Sequence, residues 1–173
     1  MTHWESSNNI PDELERNRRV FENLFRHKQK EEYLWRPAPE KWCLLEILCH
    51  LYDEEREDFR ARTKHTLETP KEPLPQIDPQ GWVISRKYIE QDYGEKLNQF
   101  LKEREQSLEW LRSLSKPAWE NYHKHPKFGK MTARMFLANW LAHDYLHIRQ
   151  ILNLKFQYLK NLTNEDLTYA GNW

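Results

Sequence analysis

At 173 residues the chain has room for one domain with a substantial core and not for two. Lysine plus arginine and aspartate plus glutamate both number 27, so the formal net charge is +0 and no bulk field draws the protein to nucleic acid or an anionic membrane. Hydrophobic residues make up only 38%, but 13% aromatics, including 8 Trp, bury large areas per side chain and suit a small helical core under a charged exterior.

No apolar run reaches the length of a membrane span, and Met1 to Ile10 lacks the apolar core of a secretory signal, so the cytoplasm is the expected compartment. Cys43 and Cys49 lie on one predicted helix with side chains turned apart, as expected of reduced thiols.

Pro11 opens a first helix: Asp12 is its expected cap, Glu13 and Glu15 suit the first turn, and Leu14, Phe21, Leu24, Phe25 and Lys28 recur at helical spacing. It should end before Arg36-Pro37-Ala38-Pro39, a stiff connection. Trp42-Cys43-Leu44-Leu45-Glu46 has the layout of a capping box, with Cys43 at the cap and Glu46 at its third position. The second helix should then present Leu44, Ile47, Leu48 and Leu51, with Tyr52 and Phe59 at the rim, and run to about Thr63.

Pro70, Pro73, Pro75 and Pro79 forbid regular helix between Thr69 and Gln80 and predict an extended crossing. A third helix is expected from near Trp82 to Ser115, with Gly94 as an interior weak point. His123-Lys124-His125-Pro126-Lys127-Phe128-Gly129 reads as a second irregular crossing, after which Thr132 caps a fourth helix that fades near Tyr158. There is no internal repeat and no strand alternation. Four long amphipathic helices with Pro-rich connections read as an all-α four-helix bundle, a single domain over 1–173.

The fourth helix carries the chemistry. At about 100° per residue, Phe136, Trp140, His143, His147, Ile151 and Leu154 fall within an arc of roughly 80°, so two imidazoles sit inside the buried stripe. Each buried ring needs a partner for both nitrogens. A divalent cation bridging the pair would supply one to both; backbone groups and a carboxylate would serve core histidines equally. His50 on the second helix is the candidate third ligand, although it lies roughly 120° from the centre of that helix's apolar face. Glu54, one turn on, could orient His50 or act as a base, and Asp144 could serve the other side. His27 and His65 read as solvent-facing, His123 and His125 as solvated loop residues, and the run Asp53 to Asp58 as a solvated helix face. His3 has no assigned role.

The run Trp35-Arg36-Pro37-Ala38-Pro39-Glu40-Lys41-Trp42, then Glu46-Ile47-Leu48, His50-Leu51 and Asp53-Glu54-Glu55, followed by Phe128-Gly129-Lys130, His143-Asp144 and His147, resembles the DinB-like superfamily over nearly the whole chain. Cys43 departs from the family's usual Ser or Thr after the second Trp. The resemblance implies an up-down-down-up bundle with long crossovers, a metal held by His50, His143 and His147, and a homodimer. It also implies a metal-dependent thiol S-transferase or hydrolase acting on a small molecule through a metal-activated thiol or water, with Zn or Ni as the ion and a low-molecular-weight thiol as cosubstrate. A non-catalytic, stress-associated metal-binding bundle is the alternative. A third reading takes His143-Asp144-Tyr145-Leu146-His147 as a zincin H-E-x-x-H with Asp for Glu and Glu165 as a further ligand.

Overall fold

The computed structural model describes residues 9–171; Met1 to Asn8, including His3 and most of the segment read as lacking a secretory signal, lie outside them. Helices α1 (Ile10–Phe25), α2 (Lys30–Tyr33) and α3 (Leu44–Asp53) are followed by a π-helical segment (Glu54–Arg60), α4 (Ala61–Glu68), α5 (Pro79–Ser85), α6 (Tyr93–Ser113), a hairpin of β1 (Tyr122–His125) and β2 (Gly129–Thr132), and α7 (Ala133–Thr163).

Helix α1 starts with Pro11 in its first turn and buries Leu14, Asn17, Phe21 and Phe25. The backbone N–H of Cys43 donates to Glu46 Oε2 at 3.0 Å, so the capping box forms with cysteine in the cap position. From there α3, the π-helical segment and α4 make one rod that continues to Glu68, past the expected end at Thr63.

Two sequence expectations are corrected in the next stretch. The third helix does not run unbroken from Trp82: α5 stops at Ser85, Lys87 takes a left-handed φ of 49°, and Asp92 caps a fresh start by accepting from the Glu95 N–H at 2.7 Å. Gly94 therefore sits in the first turn of α6 rather than in a helix interior. The second crossing is an antiparallel hairpin pairing Tyr122 with Thr132 and His125 with Gly129. Its four-residue strands are too short to show alternation, and Gly129, at φ 69°, supplies the left-handed residue the turn needs. Thr132 then caps α7 as expected, accepting from Met135 N–H at 3.1 Å, and α7 passes Tyr158 to a left-handed Asn164.

Contacts at both ends fix the helix directions. Tyr93 at the start of α6 donates to Phe25 O at the end of α1 (2.8 Å), whereas Arg112 at the end of α6 reaches Glu15 near the start of α1 (2.6 Å). Those two helices are antiparallel. Helix α7 runs with α1, since Asn17 meets Asp144 and Lys28 meets Lys155. The α3–α4 rod opposes α7, since His50 meets His147 and Phe59 meets Trp140, but runs with α6 from the Tyr52–Lys96 contact to Arg60–Glu103. The bundle is thus up-down-down-up, with α1 and the rod on opposite corners.

Two apolar clusters fill the bundle, one around Phe21, Leu48, Phe100 and Ile151, the other around Leu14, Phe59, Leu108 and Trp140. Between them lies a polar layer of Asn17, Glu55, Arg104 and Asp144, one residue from each long helix. Asp53, Glu54 and Glu55 are 4%, 4% and 2% exposed, which corrects the reading of this run as a solvated face. Asp53 closes α3 and is held by the Tyr88 hydroxyl and Arg86, and the wider π-helical turn that follows rotates Glu54 and Glu55 toward the bundle interior.

Candidate metal centre

His50 arrives from the middle of α3, where nine of the ten helix residues are buried because α2, α5, α6 and α7 all pack around it. With no solvent-facing flank at that level, a position well off the apolar stripe still points inward. His143 and His147, one turn apart on α7, face it across the bundle.

The three Nε2 atoms converge. His143 Nε2 stands 3.3 Å from His50 Nε2 and 3.0 Å from His147 Nε2. Nitrogen ligands at about 2.0–2.1 Å from one ion are separated by about 3.3 Å in tetrahedral and about 2.9 Å in right-angled geometry. The spacing therefore suits a single ion. Neutral imidazoles cannot all satisfy one another here, because His143 Nε2 can donate once or accept once but faces both His50 Nε2 and His147 Nε2. Nδ1 of His50 is buried without a hydrogen-bond partner, and Gln150 bonds only the His147 ring, so the protein's own hydrogen bonds do not account for the cluster.

Electrostatics point the same way. Burial, with the charge of His147 second, pushes the His50 imidazole down to about 3. Burial and the two neighbouring rings push His143 down to about 2, and burial takes His147 to about 4. All three rings are thus neutral at physiological pH with lone pairs available, the form that ligates a cation. Trp42 packs on His50 at 4.9 Å between ring centroids and Phe59 on His143 at 4.8 Å, fixing the rings and excluding water from one side.

His143 also forms part of the wall of a cavity of about 320 Å³ that Asp58, Arg62, Phe59 and Phe136 help to line. Among the described residues, His50, His143 and His147 are the one group of three or more His, Cys, Asp or Glu side chains placed to hold a metal ion.

The sequence model of the DinB superfamily matches residues 13–151, a span that contains all three histidines. This chain belongs to the DinB superfamily. YfiT from Bacillus subtilis, described as a probable metal-dependent hydrolase with an unusual four-helix bundle topology, has the same fold. The two align with a TM-score of 0.77 at 17% identity, over 89% of this chain and 88% of that one. No curated protein sequence matches the chain. No helix among the described residues is long and apolar enough to cross a membrane.

The other expected site residues of this DinB-superfamily chain fall in three places. Glu54 is buried beside the centre, its backbone N–H bonded to His50 O, and its Oε1 has no hydrogen-bond partner. Burial first, and the charge of Asp58 second, push its carboxyl up to about 8, with Arg62 acting in the opposite sense. Glu54 therefore holds a proton at neutral pH, beside an Asp58 that reaches the cavity.

Asp144 goes elsewhere. It has no exposed surface, and its oxygens accept from Arg104 Nη1 at 2.7 Å, Arg104 Nη2 at 2.8 Å and Asn17 Nδ2 at 3.1 Å. That geometry removes it from the candidate bases, because no substrate proton can reach it. It also removes the zincin reading, which needs the acid of this motif at the ion. Glu165, the further ligand of that reading, is exposed beyond the end of α7.

His27 is exposed as expected, but His65 is half-buried and bridges Thr69 Oγ1 and Glu72 O rather than facing solvent. His125 closes the hairpin turn, its Nδ1 accepting from the Lys127 and Phe128 N–H groups at 3.1 Å, instead of being solvated in a loop.

Sequence reasoning missed the Arg104 layer. Arg104 donates through Nε and Nη2 to Glu55 at 2.8 and 2.9 Å and through Nη1 to Leu14 O at 3.1 Å, while Trp140 Nε1 donates to Glu55 Oε2 at 2.8 Å. Burial works against the guanidinium charge, but Asp144 and Glu55 outweigh it and hold Arg104 above the usual arginine range. The signal was available. Leu97, Phe100, Leu101, Leu108 and Leu111 form the buried stripe of α6, and Arg104 occupies its vacant middle position.

Proposed function

We propose that this chain is a metal-dependent enzyme acting on a small molecule, with His50, His143 and His147 holding one divalent ion, zinc or nickel, through Nε2. The observation that carries the reading is the convergence of three neutral imidazoles, with His143 Nε2 3.3 Å from His50 Nε2 and 3.0 Å from His147 Nε2 and all three ligand atoms within 4.8 Å of one another. A set of three neutral ligands leaves at least one coordination position open, as catalytic sites require. Bound there, the ion would supply Lewis acidity that lowers the pKa of a coordinated thiol or water and makes it a nucleophile near neutral pH.

The chain's own residues do the rest. Trp42 and Phe59 pack on the His50 and His143 rings and hold them in the orientation that would grip the ion. Glu54, protonated at neutral pH and hydrogen-bonded to Asp58 at the cavity wall, keeps a proton available next to the centre. Asp144, held by Arg104, acts as a positioning residue that sets the rotation of α7 beneath His143. Both superfamily chemistries fit this arrangement: hydrolysis, the activity ascribed to YfiT, and transfer of a low-molecular-weight thiol. The exposed apolar residues Tyr145, Leu152 and Leu159, seven apart on α7, support the homodimer reading.

The experiment is metal analysis of protein purified without a His tag, followed by ester-hydrolysis and thiol-conjugation assays before and after chelation. About one metal per chain and a rate that disappears with the metal and returns with zinc or nickel are expected. Metal without turnover in either assay would leave a binding protein. A fully folded chain that takes up no metal would overturn the reading.

A further inference from the structure

We infer that the cavity beside His143 is the substrate pocket and that it accepts an uncharged small molecule with an alkyl or aryl body, presented to the centre by one heteroatom at its tip. The assignment of the reacting end rests on the metal-dependent reading above; the assignment of the body rests on the cavity alone.

The cavity measures about 320 Å³, at the small end of the range of ligand pockets. Its inner surface is Phe59, Met131 and Phe136, all buried, with His143 at one end. Its mouth is ringed by Phe128 of the hairpin and by Met135 and Leu146 of α7, which are 58%, 38% and 54% exposed. Apolar side chains so exposed around a concave site gain most from an apolar occupant.

The polar groups of the wall disfavour a charged one, because the one cation and the one anion among them are already matched to each other. Arg62 Nε pairs with Asp58 Oδ1 at 3.2 Å, Arg62 Nη2 donates to Pro75 O at 3.0 Å, and Asn139 Nδ2 donates to Met135 O at 2.8 Å. The ion pair makes that wall neutral as a unit. An incoming carboxylate, phosphate or ammonium would lose its water and meet charges already compensated by their opposites. The handle left for recognition lies at the His143 end. Met131 and Met135, unbranched and polarizable, let the pocket follow differently shaped apolar bodies, so a range of related molecules is expected to fit.

The chain has 3 Met, and two of them line this cavity, so methionine-methyl NMR reports on its occupancy directly. Protein labelled with ¹³C-methyl methionine and loaded with zinc would be titrated with three alcohols of one skeleton. They are 4-methylbenzyl alcohol, 4-carboxybenzyl alcohol and 4-(aminomethyl)benzyl alcohol, which share the handle and differ in charge at the far end. The methyl compound is expected to shift two of the three methionine signals and to bind at least about ten-fold more tightly than either charged one. Leu146→Asp, an exposed rim change, should weaken it by about the same factor, whereas Leu162→Asp, exposed on the same helix but outside the cavity, should not.

Equal affinity for the charged alcohols, or binding that Leu146→Asp leaves intact, would overturn the inference. Repeating the titration on His50→Ala separates it from the metal reading. If the apolar alcohol still shifts the two methionines there while wild-type protein takes up no metal, the pocket stands and the metal-dependent function fails. If the metal binds and the methionines do not respond, the reverse holds.

Discussion

The histidine cluster and the Arg104 layer are neighbours in the same bundle, yet their polar groups are satisfied in opposite ways. Around Arg104 the chain supplies both signs of charge: one guanidinium, two carboxylates, an amide and an indole N–H, joined at 2.7–3.1 Å. Around His143 three imidazoles meet whose Nε2 atoms cannot all be satisfied by one another, and Nδ1 of His50 is buried without a partner. The first region is complete within the folded chain. The second is complete only with something added, and this asymmetry distinguishes a structural polar layer from a site within one bundle.

The comparison breaks most severely at Arg104. Arg104→Met would leave Glu55 and Asp144 buried and unpaired, and we expect a loss of about 3–5 kcal/mol in urea unfolding. A loss below about 1 kcal/mol would show that the layer does not hold the helices. By contrast, removing a ligand should hardly touch the metal-free fold.

Next in size is the response to pH. The three imidazoles have folded-state pKa values of about 3, 2 and 4, below the ordinary value of 6.5, so between those limits the unfolded chain binds more protons than the folded one. Metal-free protein should accordingly lose stability as pH falls below about 6.5. Glu54 works with the opposite sign. Its carboxyl is raised from 4.5 to about 8, so the folded state holds the extra proton and the stability tied to it declines as pH rises from 4.5 through 8. Thermal melts from pH 4 to 9 should show the steep acid limb flattening in His143→Ala and the shallow alkaline limb flattening in Glu54→Gln. An acid limb unchanged by His143→Ala would mean that the rings are not buried neutral.

Trp140→Phe keeps the ring packing on Phe59 and deletes the indole bond to Glu55, for an expected cost of about 1–2 kcal/mol in urea unfolding. The smallest effect is the most telling for the contrast. In the absence of metal, His143→Ala should unfold within about 1 kcal/mol of the wild type, because no internal hydrogen bond of a satisfied network is lost. A loss as large as that of Arg104→Met would make the histidines part of the scaffold.

The sequence shows these regions unequally. His143 and His147 announce themselves because they interrupt an apolar stripe at one-turn spacing, and Thr132, Pro11 and Glu46 mark helix starts by local chemistry that needs no tertiary context. His50 is harder: on helical angle alone it belongs to a flank, and only the packing of four neighbouring elements around α3 turns that flank inward. The buried Glu54 and Glu55 were unreadable as a charge run because nothing in the residue pattern signals a π-helical turn. Asp144 was misread for a related reason. Adjacent to a ligand in sequence, it points about 100° away around α7 toward an arginine 40 residues upstream. The break at Lys87 was hidden because Leu97, Phe100 and Leu101 continue a helical spacing that begins, by coincidence of register, near Trp82.

The central claim is that imidazoles from α3 and α7 hold one ion together, and the zinc affinity of His50→Ala, measured by chelator competition against wild type, tests it most directly. With His50 as the third ligand, the variant should bind zinc at least about a hundred-fold more weakly while keeping the wild-type helical signal. Affinity unchanged in a folded His50→Ala would contradict the claim, leaving His143 and His147 as a pair and the site without its third corner.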